Sequence, residues 1–275
     1  MGELPVSALG IMARACRRLA LCAAIVVPGV TAFPALAQSA PADNMTAARY
    51  DVARRVVGTI ASDPDGIGAG TINFAATRTT YNSLGLPTKI ESGELASWQT
   101  EAVAPKDWTG FTVFRIVDTT YDVMGRKTKD VASTKDAVTG AITVQSVAQF
   151  SYTLSGDPEC TAQRMNPAVF ASLPVSACTL GTEGTQGKDR ITKNVYYMPT
   201  RLQKVQRAFG TALQQDYVTY TYTANGKQKT VTDANGTTAT YDYDGHDRLK
   251  RWRFPSKTTA GVSSASDYEE CGDDL

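Results

Sequence analysis

One histidine, His246, and five cysteines leave these 275 residues little of the usual apparatus of catalysis or metal binding. A lone imidazole does not build a catalytic triad or a histidine metal centre. It stands in Asp244-Gly245-His246-Asp247, which reads as a solvated turn. Charge of one sign is missing too: 28 basic residues face 27 acidic ones, so no field directs the chain to nucleic acid. The apolar run from Leu19 to Val27 is broken by Pro28 and Gly29, well short of the roughly 20 residues a membrane span requires.

That run has another reading. Arg14, Arg17 and Arg18 precede it and Ala35-Leu36-Ala37 follows, the order of a secretory signal peptide cleaved after Ala37. Residues 1–37 are therefore expected to be a leader, with Met12 as the true start. Export would place the chain in the periplasm, at the cell surface or outside the cell. Cys22 lies inside the apolar run and follows Leu21, which does not suit a lipoprotein site. Removing the leader leaves 25 basic and 26 acidic residues, a net charge of −1 that removes a polybasic adhesion mechanism. Cys160, Cys178 and Cys271 remain for an oxidising compartment, and the expected disulfide is Cys160 to Cys178.

What the chain does have is Thr, Val and Tyr in alternation, as in Val218-Thr219-Tyr220-Thr221-Tyr222. Period two means strands with one buried face. Asn225-Gly226 and Asn235-Gly236 predict type I′ hairpin turns with a strand of about six to eight residues between them. Tyr220, Tyr222, Tyr241 and Tyr243 share a parity, which predicts rings stacked across the hairpin. After a polar linker over 38–49, insertions are expected at Gly93–Thr109 and between Cys160 and Val195. In the second, Asn166-Pro167 predicts one short helix, an N-cap followed by proline at the first helical position.

A longer unit overlies the alternation: a tyrosine, a turn, and a cation five positions on. It recurs as Tyr50…Arg55, Tyr121…Arg126, Tyr196…Arg201, Tyr222…Lys227 and Tyr243…Arg248. The fullest copy is Tyr121-Asp122-Val123-Met124-Gly125-Arg126; Gly226, Asp233-Ala234-Asn235-Gly236 and Tyr243-Asp244 supply further parts. These units resemble the YD repeats of bacterial RHS proteins, with Asn82 and Leu86 altering the copy at Tyr81 and Pro199 interrupting the copy at Tyr196. The resemblance implies an all-β array of antiparallel hairpins forming a curved, spiralling sheet over residues 50–275. It further implies a segment of a shell or surface scaffold linked to toxin delivery, partnered by the rest of the shell or by a cargo domain. The array reaches Glu269-Glu270 without a following toxin region, so the chain reads as a fragment, incomplete at its C-terminus. Asp63-Pro64-Asp65-Gly66-Ile67 mimics the family's self-cleavage ending but follows the first repeat, where a type I turn accounts for it.

Repetition favours a structural role for the tyrosines and cations, since packing must be met in every unit whereas a binding site is normally singular. The expectation is a protein that is not an enzyme and takes no cofactor or metal. The alternative is a carbohydrate-binding surface module in which Trp98, Trp108, Trp252 and the tyrosines stack on cell-surface glycans. Gly184-Thr185-Gln186-Gly187-Lys188 has the wrong spacing for a phosphate loop, with Asp189 where magnesium needs Ser or Thr. Asp242, Asp244 and Asp247 do not follow a calcium-loop spacing, and turn chemistry explains them better. No acidic pair stands out for glycoside hydrolysis.

Overall fold

A computed structural model describes residues 45–63, 73–255 and 263–269. The leader, most of the linker, Pro64 to Ile67 and Cys271 lie outside them. The described chain is all-β, and its strands are hydrogen-bonded in chain order from the first to the fifteenth with no crossover. Low helix propensity and a turn signal every few residues produce this result. Two compact units are distinguished. One holds residues 33–151 and 161–190, the other 152–160 and 191–275.

In the first unit the strands are β1 (Thr46–Tyr50), β2 (Val56–Ala61), β3 (Phe74–Tyr81), β4 (Pro87–Leu95), β5 (Phe111–Tyr121), β6 (Lys127–Lys135) and β7 (Ile142–Tyr152). Each pairs antiparallel with the next. Alternation places Ile60, Phe74, Ala76 and Leu95 on one buried face. The expected insertion folds onto that face: Trp108 joins the core, Trp98 meets Phe74 edge-on at 5.5 Å, and Trp108 meets Phe111 at 5.9 Å. Each such aromatic pair contributes roughly 0.5 to 1.5 kcal/mol beyond area burial. Gly58 permits the approach, because a Cβ there would lie 2.6 Å from Pro105 and 2.7 Å from Trp108. Trp108 is thus a core residue, and Trp98 packs partly buried against the same cluster.

β8 (Pro158–Arg164) leads into the second insertion. The expected helix is a single 3-10 turn, Pro167–Val169, with the Asn166 side chain accepting from the Ala168 N–H. Arg164 organises the segment. Its guanidinium is 1% exposed and pairs with Asp189 at 2.6 Å, while its other N–H groups reach Gln149 Oε1, Thr179 O and Ser176 O. Asp189 also accepts from the Met165 and Gly181 N–H groups. Burial alone would raise its carboxyl, but these donors hold it below the ordinary carboxylate value. Cys160 and Cys178 are disulfide-bonded, as expected. Such a closure contributes on the order of 3 kcal/mol, chiefly by restricting the unfolded chain in the entropic account.

The second unit continues with β9 (Arg190–Met198), β10 (Arg201–Arg207), β11 (Gln215–Tyr222), β12 (Gln228–Asp233), β13 (Thr238–Tyr243), β14 (Leu249–Pro255) and β15 (Ser263–Glu269), again antiparallel neighbours. Val231 stands opposite Tyr220 on one side and Ala239 on the other. This corrects the expected stack. β12 separates Tyr220 and Tyr222 on β11 from Tyr241 and Tyr243 on β13, so equal parity does not make them cross-strand neighbours. Tyr241 instead meets Trp252 edge-on at 5.5 Å.

Candidate functional site

Among the described residues the repeated unit is one turn, built the same way at seven places. In Asp122-Val123-Met124-Gly125-Arg126 the Gly125 N–H donates to Asp122 O at 3.0 Å and the Asp122 N–H to Arg126 O at 2.9 Å. The same two bonds close the turns at 51–55, 82–86, 153–157, 223–227, 233–237 and 244–248. The fourth residue is left-handed in each: Arg54, Gly85, Gly125, Gly156, Gly226, Gly236 and Asp247 have φ between 60° and 90°. This is a type I turn closed by a left-handed residue, the three-residue hairpin with a G1 bulge. Register shifts at Tyr50, Tyr81, Tyr121, Tyr222 and Tyr243 record the bulge. The type I′ expectation is therefore corrected: Gly226 and Gly236 have positive φ, whereas Asn225 and Asn235 do not.

A side chain at the first loop position holds the turn. Asp122 Oδ1 accepts from the Met124 and Arg126 N–H groups, both at 2.9 Å, and Oδ2 receives Arg126 Nε at 2.7 Å. Asp51 with Arg55 and Asp244 with Arg248 repeat all three bonds. Asn82 makes the two backbone bonds without the ion pair, and Thr153 and Thr223 accept from Asp157 and Lys227 through their hydroxyls. The copy at Tyr152 was missed in the sequence; Thr153 followed by Gly156 was its signal. The Arg126 backbone N–H first, then the guanidinium, lowers the Asp122 carboxyl; the same donors on Arg248 hold Asp244 at about 2.

The tyrosine reaches beyond its own hairpin. Tyr81 Oη donates to Val56 O at 2.8 Å, Tyr121 to Pro87 O at 2.9 Å, Tyr196 to Pro158 O at 2.8 Å, Tyr222 to Leu202 O at 2.6 Å and Tyr243 to Gln228 O at 2.7 Å. Every acceptor stands six residues after the tyrosine of the preceding unit, on the strand that leaves its turn. Burial pushes the Tyr196, Tyr222 and Tyr243 phenols up, which keeps them protonated donors at neutral pH. The last residue of each of three turns packs the other way, onto the following repeat. Arg55 lies 4.6 Å over the Tyr81 ring, and a Cβ on Gly85 would fall 3.2 Å from Arg55, one on Gly125 3.3 Å from Leu86. At Gly226 it would overlap the Arg201 guanidinium. Glycine here satisfies both the positive φ and the neighbour's side chain.

Tyr50 lies on β1, at one end of the strand order, and is 62% exposed. Pro199-Thr200 replaces the standard turn beside Tyr196, with Thr200 at φ 65° and Arg201 Nη1 4.0 Å from Met198 Sδ. His246 is exposed and its N–H donates to Asp244. Asp242 accepts from Arg251 and Arg253, Asp244 from Arg248, and Asp247 from Asn225, so arginine and amide donors take up the three carboxylates. Glu159, Cys160 and Cys178 cluster, but the two thiols are joined to each other.

The family model of the RHS Repeat matches residues 214–251. No curated protein matches the chain. Among solved structures it is similar to TcdB2-TccC3 without its hypervariable C-terminal region, at 14% identity and a TM-score of 0.25, over 80% of this chain and 14% of that one. TcdB2-TccC3-Cdc42 gives 13% and 0.24 over 78% and 14%. A porin-like protein from Bacteroides uniformis gives 11% and 0.24 over 72% and 90%. The chain thus spans 14% of the length of the first of these structures. The family match at 214–251 covers three of the seven turns described above, and four more of the same construction lie outside it.

Proposed function

We propose that the chain is an exported, non-enzymatic segment of an RHS-type scaffold, serving a shell or a cell surface in toxin delivery and partnered by further repeats or a cargo domain. The observation that carries this reading is the tie between hairpins, in which five repeat tyrosines are each bonded to the backbone of the repeat before. The conspicuous polar residues thereby serve the fold, with their donors and acceptors engaged. Among the described residues β1 and β15 end the strand order, and a sheet edge offers backbone groups to another strand. Two measurements test the reading. Fractionation of an expressing bacterium should find a processed chain outside the cytoplasm; an uncleaved cytoplasmic chain contradicts export. The isolated chain should self-associate in sedimentation, and a monodisperse, cooperatively unfolding monomer contradicts the partial-scaffold reading.

A further inference from the structure

The first unit contains a cleft of about 920 Å³, lined by residues of β1 to β4 and by the segment 101–106. Arg49 stands in its wall and is only 5% exposed. One Nη donates to Gln99 O at 2.7 Å and the other to Ala48 O at 3.3 Å, while Nε–H has no partner. Among the described residues no carboxylate pairs with it. Arg164, the other buried arginine, has Asp189, and the cleft's Arg55 and Arg78 have Asp51 and Glu91, each at 2.6 Å. A buried guanidinium without a counter-ion is costly, and one in the wall of a cleft of ligand size points to an anion supplied from outside.

Arg55 and Arg78 are paired with Asp51 and Glu91, and Lys106 with Asp107, so among the lining cations Arg49 is the one that no described carboxylate meets. We propose that this cleft binds a small organic carboxylate, its single charge on the Arg49 guanidinium and its body against Tyr50 and Tyr81. A guanidinium matches a carboxylate in geometry as well as charge. The site goes beyond the scaffold reading and does not depend on it.

The test titrates the full chain, by calorimetry at low salt, with glucuronate and N-acetylalanine, each carrying one carboxylate, and with the uncharged counterparts glucose and N-acetylalanine amide. At least one acid should bind in the millimolar range, and its neutral partner at least about tenfold more weakly. Glucuronate alone would identify a sugar acid, N-acetylalanine alone an acylated amino acid, and both together the carboxylate itself. Arg49→Lys should lower the affinity about tenfold, because a lysine cannot form the fork. Tyr50→Ala, at an exposed position, should weaken binding several-fold without loss of fold, and serves where Arg49→Lys fails to fold. Binding of neither acid overturns the proposal, as does equal binding of acid and neutral partner, tighter binding of inorganic phosphate, or unchanged affinity in the folded variants.

Discussion

The loop aspartate has two roles, and Asn82 separates them in the native chain. Asn82 keeps both backbone bonds of the turn and has no ion pair. Asp122→Asn is therefore expected to melt close to the wild type, whereas Asp122→Ala should melt clearly lower by calorimetry. An equal loss in both variants would assign the stability to the arginine instead. Acid should reveal the same contact at Asp244. Its carboxyl stands at about 2 in the fold against an ordinary 3.8, so the folded chain binds that proton more weakly than the unfolded chain. The contribution is complete above an ordinary carboxylate pKa and is lost as pH falls from about 4 towards 2. Asp244→Asn should flatten the acid limb of stability against pH in that window. Asp51 and Asp122 shift in the same direction.

At the scale of the hairpin, two glycines with nearly equal φ have different neighbours. Gly236, at 81°, has open space around its absent Cβ, while Gly226, at 82°, lies against Arg201 of the preceding hairpin. Gly236→Ala should cost about 1 kcal/mol for left-handed backbone alone, and Gly226→Ala should cost more in denaturant titration. Equal costs would mean that hairpins do not pack through this position. Strands, turn positions and the disulfide were legible in the sequence because each depends on local pattern or composition. The turn type was not. Asn-Gly serves both a two-residue type I′ loop and a three-residue loop, and the deciding feature was the acceptor at Thr223 and Asp233, three residues before each glycine. The tyrosine ties were also hidden, since parity gives the face of a ring and not which neighbouring strand its hydroxyl reaches. Nor could Asp189 be read as the partner of Arg164, because the contact spans 25 positions without any period. Asp189→Asn, which leaves that guanidinium buried without its charge, should cost about 3 kcal/mol or more in chemical unfolding.

For the whole molecule, each unit is a nearest-neighbour ladder in which strands pair with the strands on either side of them in sequence. Stability in such an array is a sum of local terms and interface terms. The tyrosine ties belong to the interfaces, each contributing about 1 kcal/mol as an ordinary hydrogen bond, and less where exposed. A ligand-binding row of tyrosines would leave the hydroxyls without protein partners, and here five of them are bonded to backbone carbonyls. The most direct measurement is hydrogen exchange on the full chain with Tyr222→Phe. Removing that hydroxyl should reduce protection in β10, which holds Leu202, as well as in β11 and β12. Loss confined to β11 and β12, or no loss at all, would contradict the tie between hairpins on which the structural account rests.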